Sequence, residues 1–217
     1  MDFGAATIYF PLIGALVGGL GAGVFWLASA IWPPVIALVL SLVATVLVTG
    51  ALHEDGLADA ADGFGGGSTP ERVLEIMKDS RIGSYGAVAL ILVIVTKLAS
   101  LASLSRTDIA LALIAGHTLA RWSSVPLLYG MNYLGTKGAS FSGSVTTWRL
   151  LIATIIMLGI GALALHRRAL IPVLVSVVVT AIAGVYFKRR IGGVTGDCLG
   201  AANQLVELAV YLALSAR

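Results

Sequence analysis

The stretch PPVIALVLSLVATVLVTGALHEDGLADAADG, residues 33–63, changes character past its middle. From Pro34 to Leu52 it carries no charge. It then brings Glu54, Asp55, Asp59 and Asp62 in quick succession, with no Lys or Arg among them. An apolar run of about 20 residues is what a helix needs to cross the ~30 Å hydrocarbon of a bilayer. Acidic residues directly after such a run belong at the water-facing end. Asp55, Asp59 and Asp62 stand at i, i+4 and i+7, so on a helix they fall within about 60° of one another. Carboxylates that close repel unless a cation sits among them. Hard oxygen donors favour magnesium, manganese or calcium over zinc. A merely solvated acidic helix end would intersperse basic partners, and none occurs from His53 to Gly63. Gly56, Ala58, Ala60, Ala61 and Gly63 fill the gaps instead, and such small residues let a bulky ligand approach the backbone.

The rest of the chain agrees with a bilayer setting. Of its 217 residues 58% are hydrophobic and 12% charged, against about a quarter charged in a soluble domain. Seven apolar runs are long enough to span: 5–31, 34–53, 84–105, 108–130, 147–165, 169–187 and 195–215. They predict an all-α polytopic membrane bundle of about seven transmembrane helices, a single domain over 1–217. Three longer polar segments, 53–83, 131–146 and 188–197, then fall on one side. That side holds Arg72, Lys78, Arg81, Lys137, Arg149, Lys188, Arg189 and Arg190, and the other holds Arg106, Arg167, Arg168 and Arg217. The bias of basic residues predicts that the polar segments face the cytoplasm. One surface helix is expected between Gly63 and Ser80, with a capping-box spacing from Ser68 to Glu71 and Pro70 in its first turn. Met1 to Thr7 has no basic leader, so the first run reads as a retained helix. The single cysteine, Cys198, excludes an internal disulfide and a Cys-based zinc cluster. Net charge is +3 with the basic residues in loops, which fits topology and phosphate contacts and gives no reason to expect a nucleic-acid partner.

Two further segments suit phosphate chemistry. Lys78-Asp79-Ser80-Arg81 sets two cations beside a carboxylate. Arg grips phosphate oxygens bidentately and Lys acts as a point charge, although membrane anchoring explains the pair equally well. Gly192-Gly193-Val194-Thr195-Gly196-Asp197 leads into the last span. Gly193 and Gly196 can expose backbone amides at a helix start, and Asp197 can bind a metal or a ribose hydroxyl. Asn203 and Glu207 continue along the same helix. Inside the spans lie Lys97, His117 and Arg121; charges at such depth face the bundle interior and a partner. Glu207 is a candidate partner for Lys97, and Arg121 is read as reaching toward the polar pocket.

His53-Glu54-Asp55-Gly56-Leu57-Ala58-Asp59 with Asp62-Gly63, then Arg72 through Gly83, then Gly193-Val194-Thr195-Gly196-Asp197 with Leu199-Gly200-Ala201, resembles the cobalamin synthase family, also called adenosylcobinamide-GDP ribazoletransferases. The similarity runs from about Phe10 to the C-terminus. Members usually carry a further N-terminal segment of a few tens of residues. The resemblance implies transfer between adenosylcobinamide-GDP and α-ribazole, or its 5′-phosphate, with release of GMP. It also implies dependence on Mg2+ and a place in the bacterial inner membrane. On this reading Asp55, Asp59 and Asp62 bind metal. The base is one of the Asp residues or His53. Glu54, Lys78, Asp79, Arg81, Arg121, Gly193, Gly196, Asp197 and Asn203 meet substrate. Assembly into a homo-oligomer stays open. A lipid synthase resembling the CDP-alcohol phosphotransferases, and a cation transporter, are the alternatives.

Overall fold

The computed structural model describes residues 3–135 and 145–216. Lys137 and Arg217, counted above in the charge bias, lie outside them. A four-residue helix, α1 (Phe3–Ala6), and a 3-10 turn lead into α2, Phe10–Ala28. Then come α3 (Pro34–Thr49), α4 (Leu52–Gly66), α5 (Pro70–Ile76), α6 (Ser84–Ala102) and α7 (Arg106–Gly130). The chain ends with α8 (Thr147–Leu165), α9 (Leu170–Ile191) and α10 (Gly196–Ser215). The only β-type pairing among the described residues is one isolated parallel bridge, Tyr133 to Val194.

The all-α membrane architecture is therefore present. α2, α6, α8, α9 and α10 are each long and apolar enough to cross a bilayer, and α3 with α4 passes the same test as a bent pair. α7 adds a 25-residue helix, about 37 Å long at 1.5 Å per residue. It is the axis of the bundle, buried almost continuously from Ile109 to Leu128. α2 lies against it so closely that a Cβ at Gly14 would strike the backbone of His117 and one at Gly18 that of Leu113. Small residues at helix contacts are how membrane helices gain packing, because lipid is as apolar as their own side chains.

Two expectations need correction. The second run was expected to continue helically to residue 53. It stops at Thr49, because Gly50 (φ 64°) and Ala51 (φ 57°) both turn left-handed. A residue with a Cβ pays for that conformation. The two together swing α4 by 87° from α3, so the acidic residues sit on a helix of their own lying across the end of the bundle. The surface helix α5 is present, but its cap is Thr69, whose hydroxyl accepts from the Arg72 amide at 3.3 Å, not Ser68. Pro70 at the first helical position fixes the start one residue later than the capping-box spacing had suggested.

Candidate active site

α4 is held at both ends and in its middle. At the far end Arg190 donates to the Phe64 and Gly67 carbonyls at 3.0 and 2.9 Å and to the Tyr186 hydroxyl at 2.8 Å. It thereby satisfies carbonyls that a helix C-terminus leaves open. In the middle α4 crosses α10. A Cβ on Gly56 would lie 3.1 Å from the Asp197 and Gly200 Cα atoms, and one on Gly200 would lie 3.1 Å from the Gly56 Cα. Only a glycine pair lets the two backbones meet this closely. The crossing sets Asp197, in the first turn of α10, beside the acidic face of α4.

Asp59 is near enough to Asp55, Asp197 and Asp62 for all three charges to act on it, and no cation is among the groups that do so. Asp55 and Asp59 accept no hydrogen bond among the described residues, and Asp197 accepts from the Thr195 hydroxyl at 3.3 Å. Asp62 is differently placed. It is buried, and its two oxygens accept from the Gly83 and Gly86 amides at 2.7 and 2.9 Å. It thus caps the start of α6 as well as standing next to Asp59. Among the described residues no three His, Cys, Asp or Glu side chains converge tightly enough to enclose a metal ion. In charge and donor chemistry Asp55, Asp59 and Asp197 nevertheless fit a hard divalent cation, since their mutual repulsion is what such an ion relieves.

The phosphate candidates divide. Lys78 is exposed, and its ammonium makes no ion pair or hydrogen bond among the described residues. Arg81 closes its fork on Asp79, with Nε and Nη2 donating at 3.0 and 2.7 Å, and the Arg81 amide also donates to Asp79 at 3.1 Å. These bonds pull the Asp79 carboxyl down to about 2 and raise the Arg81 guanidinium further. The glycine turn before α10 is tied to the 132–134 segment: Val194 donates to the Asn132 carbonyl at 2.9 Å and Leu134 to that of Val194 at 2.8 Å. A Cβ on Gly193 would strike Asn132, whereas Gly196 is exposed and a Cβ there would meet only the Tyr133 hydroxyl, at 3.5 Å. Burial and the Asp197 charge push the Tyr133 phenol up beside this turn.

Behind α4 runs a buried polar chain. Gln204 donates to Glu54 at 3.0 Å and accepts from Lys97 at 2.7 Å. Lys97 meets Glu207 at 3.0 Å, as the charges suggested, and the Tyr211 hydroxyl donates to the same Glu207 oxygen at 3.0 Å. His117 lies 3.5 Å from the other Glu207 oxygen. Arg121 Nη1 stands 3.1 Å from His117 Nδ1, and because a guanidinium can only donate, Nδ1 accepts there. Arg121 is thus spent on His117 inside the bundle, yet its charge still reaches His53, as do those of Glu207 and Lys97. Gln204 is not among the residues read from the sequence, and Arg190 enters there only through the charge bias; a glutamine inside an apolar run was the one signal available for the first. Asn203 is 1% exposed, and neither its side-chain nitrogen nor its side-chain oxygen has a partner among the described residues. An orphaned buried amide costs about 1–3 kcal/mol, so this one is poised for a ligand or water.

Bundle and crossing together define a polytopic membrane protein with an acidic, polar site at one face. A family model described as cobalamin-5-phosphate synthase matches residues 1–215, and the chain belongs to that family. Among its relatives are proteins named adenosylcobinamide-GDP ribazoletransferase. The one from Shewanella frigidimarina is 44% identical over 97% of this chain and 84% of its own length. That from Polaromonas sp. is 40% identical over 97% and 85%, and that from Ralstonia nicotianae 41% over 97% and 84%. No solved structure matches.

Proposed function

We propose that the chain joins adenosylcobinamide-GDP to α-ribazole or its 5′-phosphate, releasing GMP, with the α4–α10 crossing as its active site and the cytoplasm as the side it faces. The observation that carries this reading is the Gly56–Gly200 contact, which sets Asp197 beside Asp55 and Asp59 in a chain of this family. Asp55, Asp59 and Asp197 would hold Mg2+, which when bound neutralises charge on a pyrophosphate. Lys78, exposed and unpaired, offers a point charge to the non-bridging oxygens. Arg81 joins it by exchanging Asp79 for phosphate, since its fork fits either. The ribazole hydroxyl attacks the phosphorus that bears cobinamide, and GMP departs. Its proton passes to a carboxylate of the acidic face or to His53. Asn203 supplies an amide that substrate polar groups can satisfy. Asp62 keeps the face in register by holding α6.

The test is direct. Purified protein incubated with adenosylcobinamide-GDP, α-ribazole and magnesium should yield GMP and adenosylcobalamin in equal amounts. GMP without the coupled corrinoid, or turnover of a CDP-linked lipid in its place, would refute the proposed reaction.

A further inference from the structure

The face opposite α4 carries the two largest clefts described for this protein, and the acidic chemistry uses neither. One, of about 520 Å3, is walled by Leu104, Leu111, Ala164 and Leu214. The other, of about 510 Å3, is walled by Ile171, Pro172, Ala213 and Leu214. Arg167 and Arg168 line both. The first cleft is mainly apolar and the second mainly polar; they meet at a pair of guanidinium groups, at the ends of α8 and α10 where spanning helices leave the bilayer.

The turn that presents these arginines is strained. His166 has φ 49° and ψ −123°, a region that residues with a Cβ rarely enter. It reverses the chain so that His166–Arg168 form a 3-10 turn at the junction. Arg168 is tied to Asp108 at 3.1 Å, which anchors the turn to the start of α7. Arg167 has no ion pair or hydrogen bond among the described residues. One carboxylate against two guanidinium groups leaves the junction net positive.

We infer that this face binds an anionic phospholipid, its phosphate on Arg167 and an acyl chain in the apolar cleft walled by Leu104, Leu111, Ala164 and Leu214. A cationic junction beside an apolar cleft at the membrane boundary matches that amphipathic shape and charge, whereas a free anion would leave the apolar cleft without an occupant. The inference is independent of the transferase reading, because the acidic helix lies at the other end of the bundle.

Native mass spectrometry on the full chain in detergent, with phosphatidylglycerol and phosphatidylcholine added separately, tests it. Wild-type protein should retain phosphatidylglycerol preferentially, and Arg167→Gln should bind it about tenfold more weakly, the loss of one charge-assisted contact. Leu214→Trp, which adds bulk at a wall shared by both clefts and keeps the charge, should also weaken retention. Arg167→Gln is an exposed change and should leave GMP release in lipid-free detergent at the wild-type rate. Equal retention of the two lipids, unchanged phosphatidylglycerol binding in Arg167→Gln, or full displacement of the lipid by inorganic phosphate would overturn the assignment.

Discussion

Asp59→Asn should leave a folded, membrane-inserted protein whose GMP release is slower by roughly 10²–10³-fold, the scale lost when a group stabilising charge in a transition state is removed. Asp59 is the carboxylate on which the charges of Asp55, Asp62 and Asp197 converge. Neutralising it relieves repulsion in the empty face, so stability should hold or rise while turnover falls. That opposite movement of stability and rate is what separates a working carboxylate from a structural one. Single-turnover GMP release, with thermal unfolding of the same sample, reads both. Near-normal turnover at saturating magnesium would remove Asp59 from the reaction.

Gly200→Val should act on geometry and be as damaging. A Cβ there meets the Gly56 Cα at 3.1 Å and the His53 carbonyl oxygen at 3.3 Å, and a branched side chain adds two more carbons. The partners are backbone atoms of α4, which cannot swing aside as a long side chain can. Overpacking of this kind costs about 1–3 kcal/mol. Here it also levers α4 off α10 and parts Asp197 from Asp55 and Asp59. Transferase activity should fall to background, with a lowered thermal midpoint. Gly19→Ala on α2, where a Cβ meets nothing within 4 Å, should be neutral in both measurements. Equal activity for the two variants would mean that the close crossing does not assemble the site.

Much of this was legible in the chain. Apolar runs and short polar turns mark the spans because helices in lipid must be long and uncharged. The edges at 84, 147 and 215 coincide with observed helix ends. The acidic run announced the site, and Lys97 and Glu207 are paired because charges buried at that depth need each other. What could not be read depends on backbone conformation or on contacts between distant segments. Hydropathy continues smoothly through Gly50 and Ala51, so nothing in it reveals two left-handed residues and a right-angled turn. Asp62 shares the helical spacing of Asp55 and Asp59. Its capping of α6 arises only because Gly83 and Gly86 return to it. Phosphate binding and membrane anchoring explained Lys78 and Arg81 equally well in the sequence, and only the fold shows Asp79 filling the Arg81 fork. Gly56 and Gly200 each read as permissive small residues, and only their meeting gives them a task.

In the proposed reaction the carboxylates gathered at the α4–α10 crossing take up a divalent ion. Electron paramagnetic resonance of Mn2+ with the purified protein, in the presence of the GDP-linked substrate, measures this most directly. Saturable binding that magnesium displaces, and that Asp59→Asn and Asp197→Asn each abolish, is the expected result. Mn2+ binding that both variants retain at wild-type strength, or no binding in the wild-type protein, would contradict it.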